Sequence, residues 1–69
     1  MSTEEVAWDA LRKWGCPVHR EVILEYARTA MTFDGYSGTF YKALSRLAKK
    51  GSIRRIRPAV YSAYGPVRD

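Results

Sequence analysis

Three arginines fall within four residues, Arg54-Arg55-Ile56-Arg57, with no acidic side chain beside them. Ahead of them Lys42, Ser45, Arg46 and Lys49 recur at helical spacing, with Ser37, Thr39 and Tyr41 on the approach. Guanidinium forks and ammonium groups bind phosphate oxygens. Hydroxyls beside them donate to and accept from base edges or phosphates. This is the chemistry of anion recognition. The charge distribution agrees. Residues 1–34 carry four Lys and Arg against six Asp and Glu, whereas residues 35–69 carry eight against one. One strongly basic half in a small chain implies a polyanionic partner. A solvated helix face and a hairpin kept soluble by charge remain the bland alternatives.

Catalytic chemistry finds little to work with. Cys16-Pro17-Val18-His19 brings together the only thiol and the only imidazole of the chain. A zinc site needs about four ligands, or three and a water, so no metal site is expected. A Cys–His nucleophile would need an orienting group and oxyanion donors, and the sequence indicates neither. Cys16 reads instead as a small buried residue and His19 as the start of a helix. No Gly-rich phosphate cradle of the Walker type is present. The expectation is a protein that is not an enzyme and uses no cofactor. A single cysteine also excludes an internal disulfide framework and fits a reducing compartment.

These side chains must be held by a small scaffold. The chain has 69 residues, room for one domain. Its apolar fraction of 46% is enough for a packed core and argues against disorder throughout. No run approaches the roughly 20 apolar residues of a membrane span. Met1-Ser2-Thr3-Glu4-Glu5 does not read as the start of a signal peptide. The expected location is intracellular, cytoplasmic or nucleoid-associated. The expected domain covers residues 1–64, with a frayed tail at 65–69.

Punctuation divides the chain into three helices and a hairpin. The first helix should span about Thr3 to Trp14, opened by a Ser2/Glu5 capping box and buried along Val6, Ala7, Ala10, Leu11 and Trp14. The second should run from about His19 to Ala30, buried along Val22, Ile23, Tyr26, Ala27 and Ala30. The third should start near Ser37 as N-cap and stop at Gly51, buried along Phe40, Ala43, Leu44, Leu47 and Ala48. Ile53 to Tyr64 around Pro58-Ala59 reads as a β-hairpin. Ile53 and Ile56 are three apart, so a bulge or a later strand start is required. Trp8, Leu24 and Met31 lie off the expected core stripes and are candidates for self-association.

Three helices followed by a hairpin resemble the winged helix-turn-helix family of DNA-binding domains, an α+β fold with a short C-terminal β-hairpin wing. The stretch from Ser37 to Ile53 looks like a recognition helix and the turn into the wing. Arg54-Arg55-Ile56-Arg57-Pro58-Ala59-Val60-Tyr61 looks like the wing and its closing strand. The sequence departs from the pattern where Ala59 replaces the frequent glycine. The expected turn is therefore one that avoids positive φ, with Pro58 at the second position of a type I turn. The segment from Thr32 to Ser37 is also longer than a tight helix-turn-helix connection.

The resemblance implies binding of double-stranded DNA. The third helix would enter the major groove with Ser37, Thr39, Tyr41, Lys42, Ser45, Arg46 and Lys49. Arg54, Arg55 and Arg57 would grip adjacent backbone or minor groove. It further implies a small transcription regulator, a silencer or an accessory factor of a mobile element. Two alternatives stand beside it. One is a winged-helix protein-interaction module, pairing with itself or with a protein partner, if Trp8, Leu24 and Met31 form one exposed patch. The other is an RNA or single-strand binder using Phe33, Tyr36 and Tyr41.

Overall fold

The computed structural model describes residues 2–63. The expected tail at 65–69 and the end of the hairpin at Tyr64 lie outside them. The fold is a small α+β arrangement of three helices and a three-stranded antiparallel sheet.

Helix α1 (Thr3–Leu11) opens with the expected capping box. The Glu5 N–H donates to the Ser2 hydroxyl at 3.2 Å, and the Ser2 N–H donates to the Glu5 carboxylate at 3.1 Å. The two bonds satisfy orphan donors of the first turn. Ala7, Ala10 and Leu11 are fully buried. The helix ends three residues before Trp14. There the Lys13 and Trp14 N–H groups donate to Ala10 and Leu11 carbonyls, tightening the last turn. Trp14 consequently leaves the helix and sets its ring edge-on to Tyr26, with centroids 5.4 Å apart. Cys16 lies in the following turn and is exposed, not buried as expected.

A two-residue strand, β1 (Val18–His19), precedes α2 (Arg20–Ala30). His19 caps that helix, its Nδ1 accepting from the Glu21 N–H at 3.1 Å. The buried face of α2 differs from the expected stripe. Ile23, Leu24 and Ala27 are buried, while Val22 is 46% exposed and Ala30 faces solvent. The cause is the rotation of the helix. β1 pairs with the last strand and fixes the start of α2, which turns Leu24 inward and Val22 outward. Leu24 is therefore a core residue, and Met31 packs partly buried against the core. Of the trio expected to form an apolar patch, Trp8 alone is exposed.

Helix α3 (Ser37–Lys50) buries Phe40, Ala43, Leu44 and Leu47 against the other two helices. Its N-cap is Tyr36, with no side-chain cap bond, and Ser37 is the first helical residue. Gly51 ends the helix at φ 85°. The Ser52 N–H reaches back to the Leu47 carbonyl at 2.9 Å, and the Gly51 N–H to Ala48 at 3.1 Å. This is a Schellman ending, and its left-handed residue favours glycine. It turns the chain so that Ile53 enters the core and β2 (Arg54–Arg57) runs back along α3.

β2 pairs with β3 (Val60–Ser62), which lies at the centre of the sheet between β1 and β2. The strand starts after Ile53, and its register also shifts between Arg55 and Arg57. Ile56 sits at that shift and is 43% exposed. The turn corrects the expectation for Ala59, whose φ is 68°. Pro58 followed by positive φ is the pattern of a type II turn, not type I. The Ala59 carbonyl accepts the Arg20 N–H at 2.7 Å, so the turn is oriented by its bond to the start of α2.

Left-handed backbone costs a residue with a Cβ about 1–2 kcal/mol, partly offset for glycine by its greater unfolded freedom. Ala59→Gly should therefore stabilise the fold by roughly 0.5–1 kcal/mol. Urea unfolding followed by circular dichroism measures this, and a lowered midpoint would show that the turn carries no strain.

Candidate functional site

The apolar stripe of α3 is consumed by the core, so its other side must face out. Thr39, Lys42, Ser45, Arg46 and Lys49 are all exposed there. β2 returns beside this face because the Gly51 ending directs it there. Arg55 pairs with Tyr61 in the sheet, and paired residues project to the same side. Tyr61 is buried, with its hydroxyl 3.4 Å from the Ser45 hydroxyl. Arg55 thus shares a shallow groove of about 440 Å³ with Lys42, Ser45, Arg46, Ala48 and Lys49. A second concavity of about 580 Å³ extends along Thr39, Lys42 and Arg46 towards Ser2, Thr3 and Glu4.

The expected site residues therefore separate into groups. Lys42, Ser45, Arg46, Lys49 and Arg55 come together in one groove, and Thr39 continues it. Ser37 is exposed at the first turn of α3. Arg54 and Arg57 are exposed on β2 but do not line the groove. Tyr41 is half-buried beneath the guanidinium of Arg20, 4.1 Å from the ring centroid. It is a platform for that cation more than a free ring. Of the loop aromatics, Phe33 packs on Phe40 with centroids 5.2 Å apart, and Tyr36 is 84% exposed.

Arg20 is the residue that sequence reasoning missed. Its Nε is buried without a hydrogen-bond partner among the described residues. Its head stacks on α3, and its N–H anchors the hairpin turn. Arg20 thus extends the cationic surface from α3 to the start of α2. Both contacts are tertiary, and the local sequence places Arg20 only among the acids of the first half.

Electrostatics sharpen the face. Lys50 is not part of it, because its ammonium holds Glu4 at 2.6 Å. Lys42, Arg46, Lys49, Arg54, Arg55 and Arg57 have no ion-pair partner among the described residues. Unpaired cations around a shallow, open groove suit an extended anion better than an enclosed small molecule. Among the described residues no group of three His, Cys, Asp or Glu side chains is placed to hold a metal ion. No helix of the described residues is long and apolar enough to cross a membrane. The chain matches no protein-family model, no curated protein and no solved structure.

The pairing of Lys50 makes the availability of each cation testable. Titration with inorganic pyrophosphate, followed by side-chain NMR, should shift Lys42, Lys49 and Arg55 and leave the Lys50 ammonium nearly unmoved. Equal shifts at Lys49 and Lys50 would show that the groove confers no selectivity.

Proposed function

We propose that this chain is a winged helix-turn-helix domain that binds double-stranded DNA. The observation that carries the reading is the shared groove, in which cations of α3 without an ion-pair partner among the described residues meet Arg55 of the adjoining hairpin. A B-DNA major groove about 12 Å wide admits one α-helix, and α3 offers it a polar, cationic face. On this reading Lys42, Ser45 and Arg46 meet base edges, Thr39 meets a base or phosphate at one end, and Lys49 meets a phosphate at the other. Arg55 follows α3 to the adjacent backbone. Arg54 and Arg57, exposed on the hairpin that acts as a wing, engage phosphates or the minor groove. Arg20, held on Tyr41, adds a phosphate contact at the start of α2. Regulation of transcription or service to a mobile element is the biological setting that the resemblance adds.

The single-strand alternative receives less support. A stacking platform needs several free rings. Phe33 and Tyr41 are engaged within the fold, which leaves Tyr36 alone. The apolar-patch version of a protein-interaction module loses Leu24 to the core.

Fluorescent duplex DNA, single-stranded DNA and RNA, each titrated over a salt series, test the reading. Duplex binding should follow a log–log salt slope of about −4 to −6, as expected for roughly 4–7 neutralised phosphates. A flat response, or no binding at low salt, would remove DNA as the partner.

Substitutions then separate base reading from backbone contact. Lys42→Ala and Ser45→Ala should each reduce discrimination between sequences by about 1–3 kcal/mol where the side chain meets a base. Lys49→Ala should weaken all duplexes alike and lower the salt slope by about one. Equal losses on specific and random duplexes for all three variants would mean that α3 touches backbone only.

A further inference from the structure

A second surface has the opposite chemistry. Helix α1 and the end of α3 enclose an open groove of about 870 Å³, lined by Glu4, Glu5, Trp8, Asp9, Leu47 and Ser52, with Ser2 at its edge. Trp8 is 36% exposed, and Leu47, almost wholly buried in the core, forms the floor. Three carboxylates rim these apolar side chains. Each is engaged through one oxygen only. Glu4 Oε1 holds Lys50, Glu5 Oε1 accepts the Ser2 N–H, and Asp9 Oδ1 lies 3.7 Å from Arg12. The second oxygen of each has no partner among the described residues. One face of the Trp8 ring already carries a guanidinium, that of Arg12 at 4.6 Å.

The chain carries its own complement. Arg54-Arg55-Ile56-Arg57 presents an apolar side chain, Ile56, 43% exposed at the register shift, between arginines without acidic partners among the described residues. An exposed isoleucine flanked along the strand by arginines on β2 matches a groove on α1 in which carboxylates rim Trp8. We infer that the groove takes the β2 hairpin of a second copy, with Ile56 against Trp8 and Leu47 and the arginines against Glu4, Glu5 and Asp9. The two surfaces are different parts of the chain, so the contact is heterologous. Such a small patch forms a weak contact, in the transient class of interfaces. The inference does not rest on DNA binding and is tested without DNA.

Sedimentation velocity of the full chain, from about 10 µM to about 1 mM, spans the affinities such interfaces reach. The parent protein should rise in apparent mass across this range from the monomer value of 7.9 kDa. A groove variant, Trp8→Ala, and a hairpin variant, Arg54→Gln/Arg55→Gln/Arg57→Gln, should each stay monomeric alone. Asp9→Lys provides a second groove variant if Trp8→Ala unfolds, which circular dichroism reports. An equimolar mixture of groove and hairpin variants should form a one-to-one complex, since one supplies an intact hairpin and the other an intact groove. A parent that stays monomeric to the highest concentration overturns the inference and leaves the groove to another ligand. Self-association of either variant alone overturns it too, as does a mixture that stays monomeric while the parent associates.

Discussion

The position of Tyr61 holds the functional face together. Tyr61 lies in the central strand, pairs with Val18 on one side and Arg55 on the other, and is buried. Its hydroxyl reaches Ser45 on the outer side of α3. One residue therefore joins the start of α2, the hairpin and α3. A domain of about 60 residues buries only roughly 60% of its unfolded surface, so few side chains are available to make such connections. Loss of the ring would separate the hairpin from the helix. The cations of α3 and β2 would then be independent charges on separate elements, not one groove.

The acids and bases of the chain are used in different ways. Glu5 is committed to the capping box, and Glu4 ties the start of α1 to the end of α3 through Lys50. The carboxylates near α3 thus serve the architecture along one edge. Past Lys50, β2 offers three arginines and no acid. The apolar stripe of α3 forces Lys42, Arg46 and Lys49 to the opposite face, where no carboxylate among the described residues neutralises them. The positive face therefore arises from packing as much as from composition. Net charge alone would not separate Lys49, which has no ion-pair partner among the described residues, from Lys50, which is paired.

What the sequence revealed depended on the range of the interactions involved. The capping box and the glycine ending of α3 are local, set by residues within a few positions, and both were legible. So was the polar face of α3, because its apolar stripe is strong and unbroken. The face of α2 was not. Val22-Ile23-Tyr26-Ala27-Ala30 and Ile23-Leu24-Ala27-Met31 both fit a helical period, and pairing of β1 with β3 chooses between them. Two residues are too short a strand to signal themselves by alternation. Ala59 was misread for a related reason. Its positive φ is fixed by a hydrogen bond to Arg20, some forty positions earlier, and local preference opposes it. The same distance hid Arg20 from the candidate site residues.

The two proposed roles of the hairpin place a constraint on each other. The arginines that would grip DNA are the ones that would enter the acidic groove of another copy. A guanidinium cannot hold a phosphate and a carboxylate with the same N–H groups. Phosphate backbones carry a far higher charge density than three carboxylates, so DNA should win the hairpin where both are present. Linkage then requires the reverse coupling: a copy docked through its hairpin binds DNA less tightly by the same factor. Glu5, Trp8 and Asp9 of the α1 groove are free of this conflict, whereas Ser2 and Glu4 also line the concavity that runs past Thr39, Lys42 and Arg46. A copy seated on DNA through α3 and its hairpin therefore still presents Trp8, Glu5 and Asp9 outward. Association through that groove would recruit a further copy by its hairpin, and that copy would have to surrender the contact to reach DNA itself.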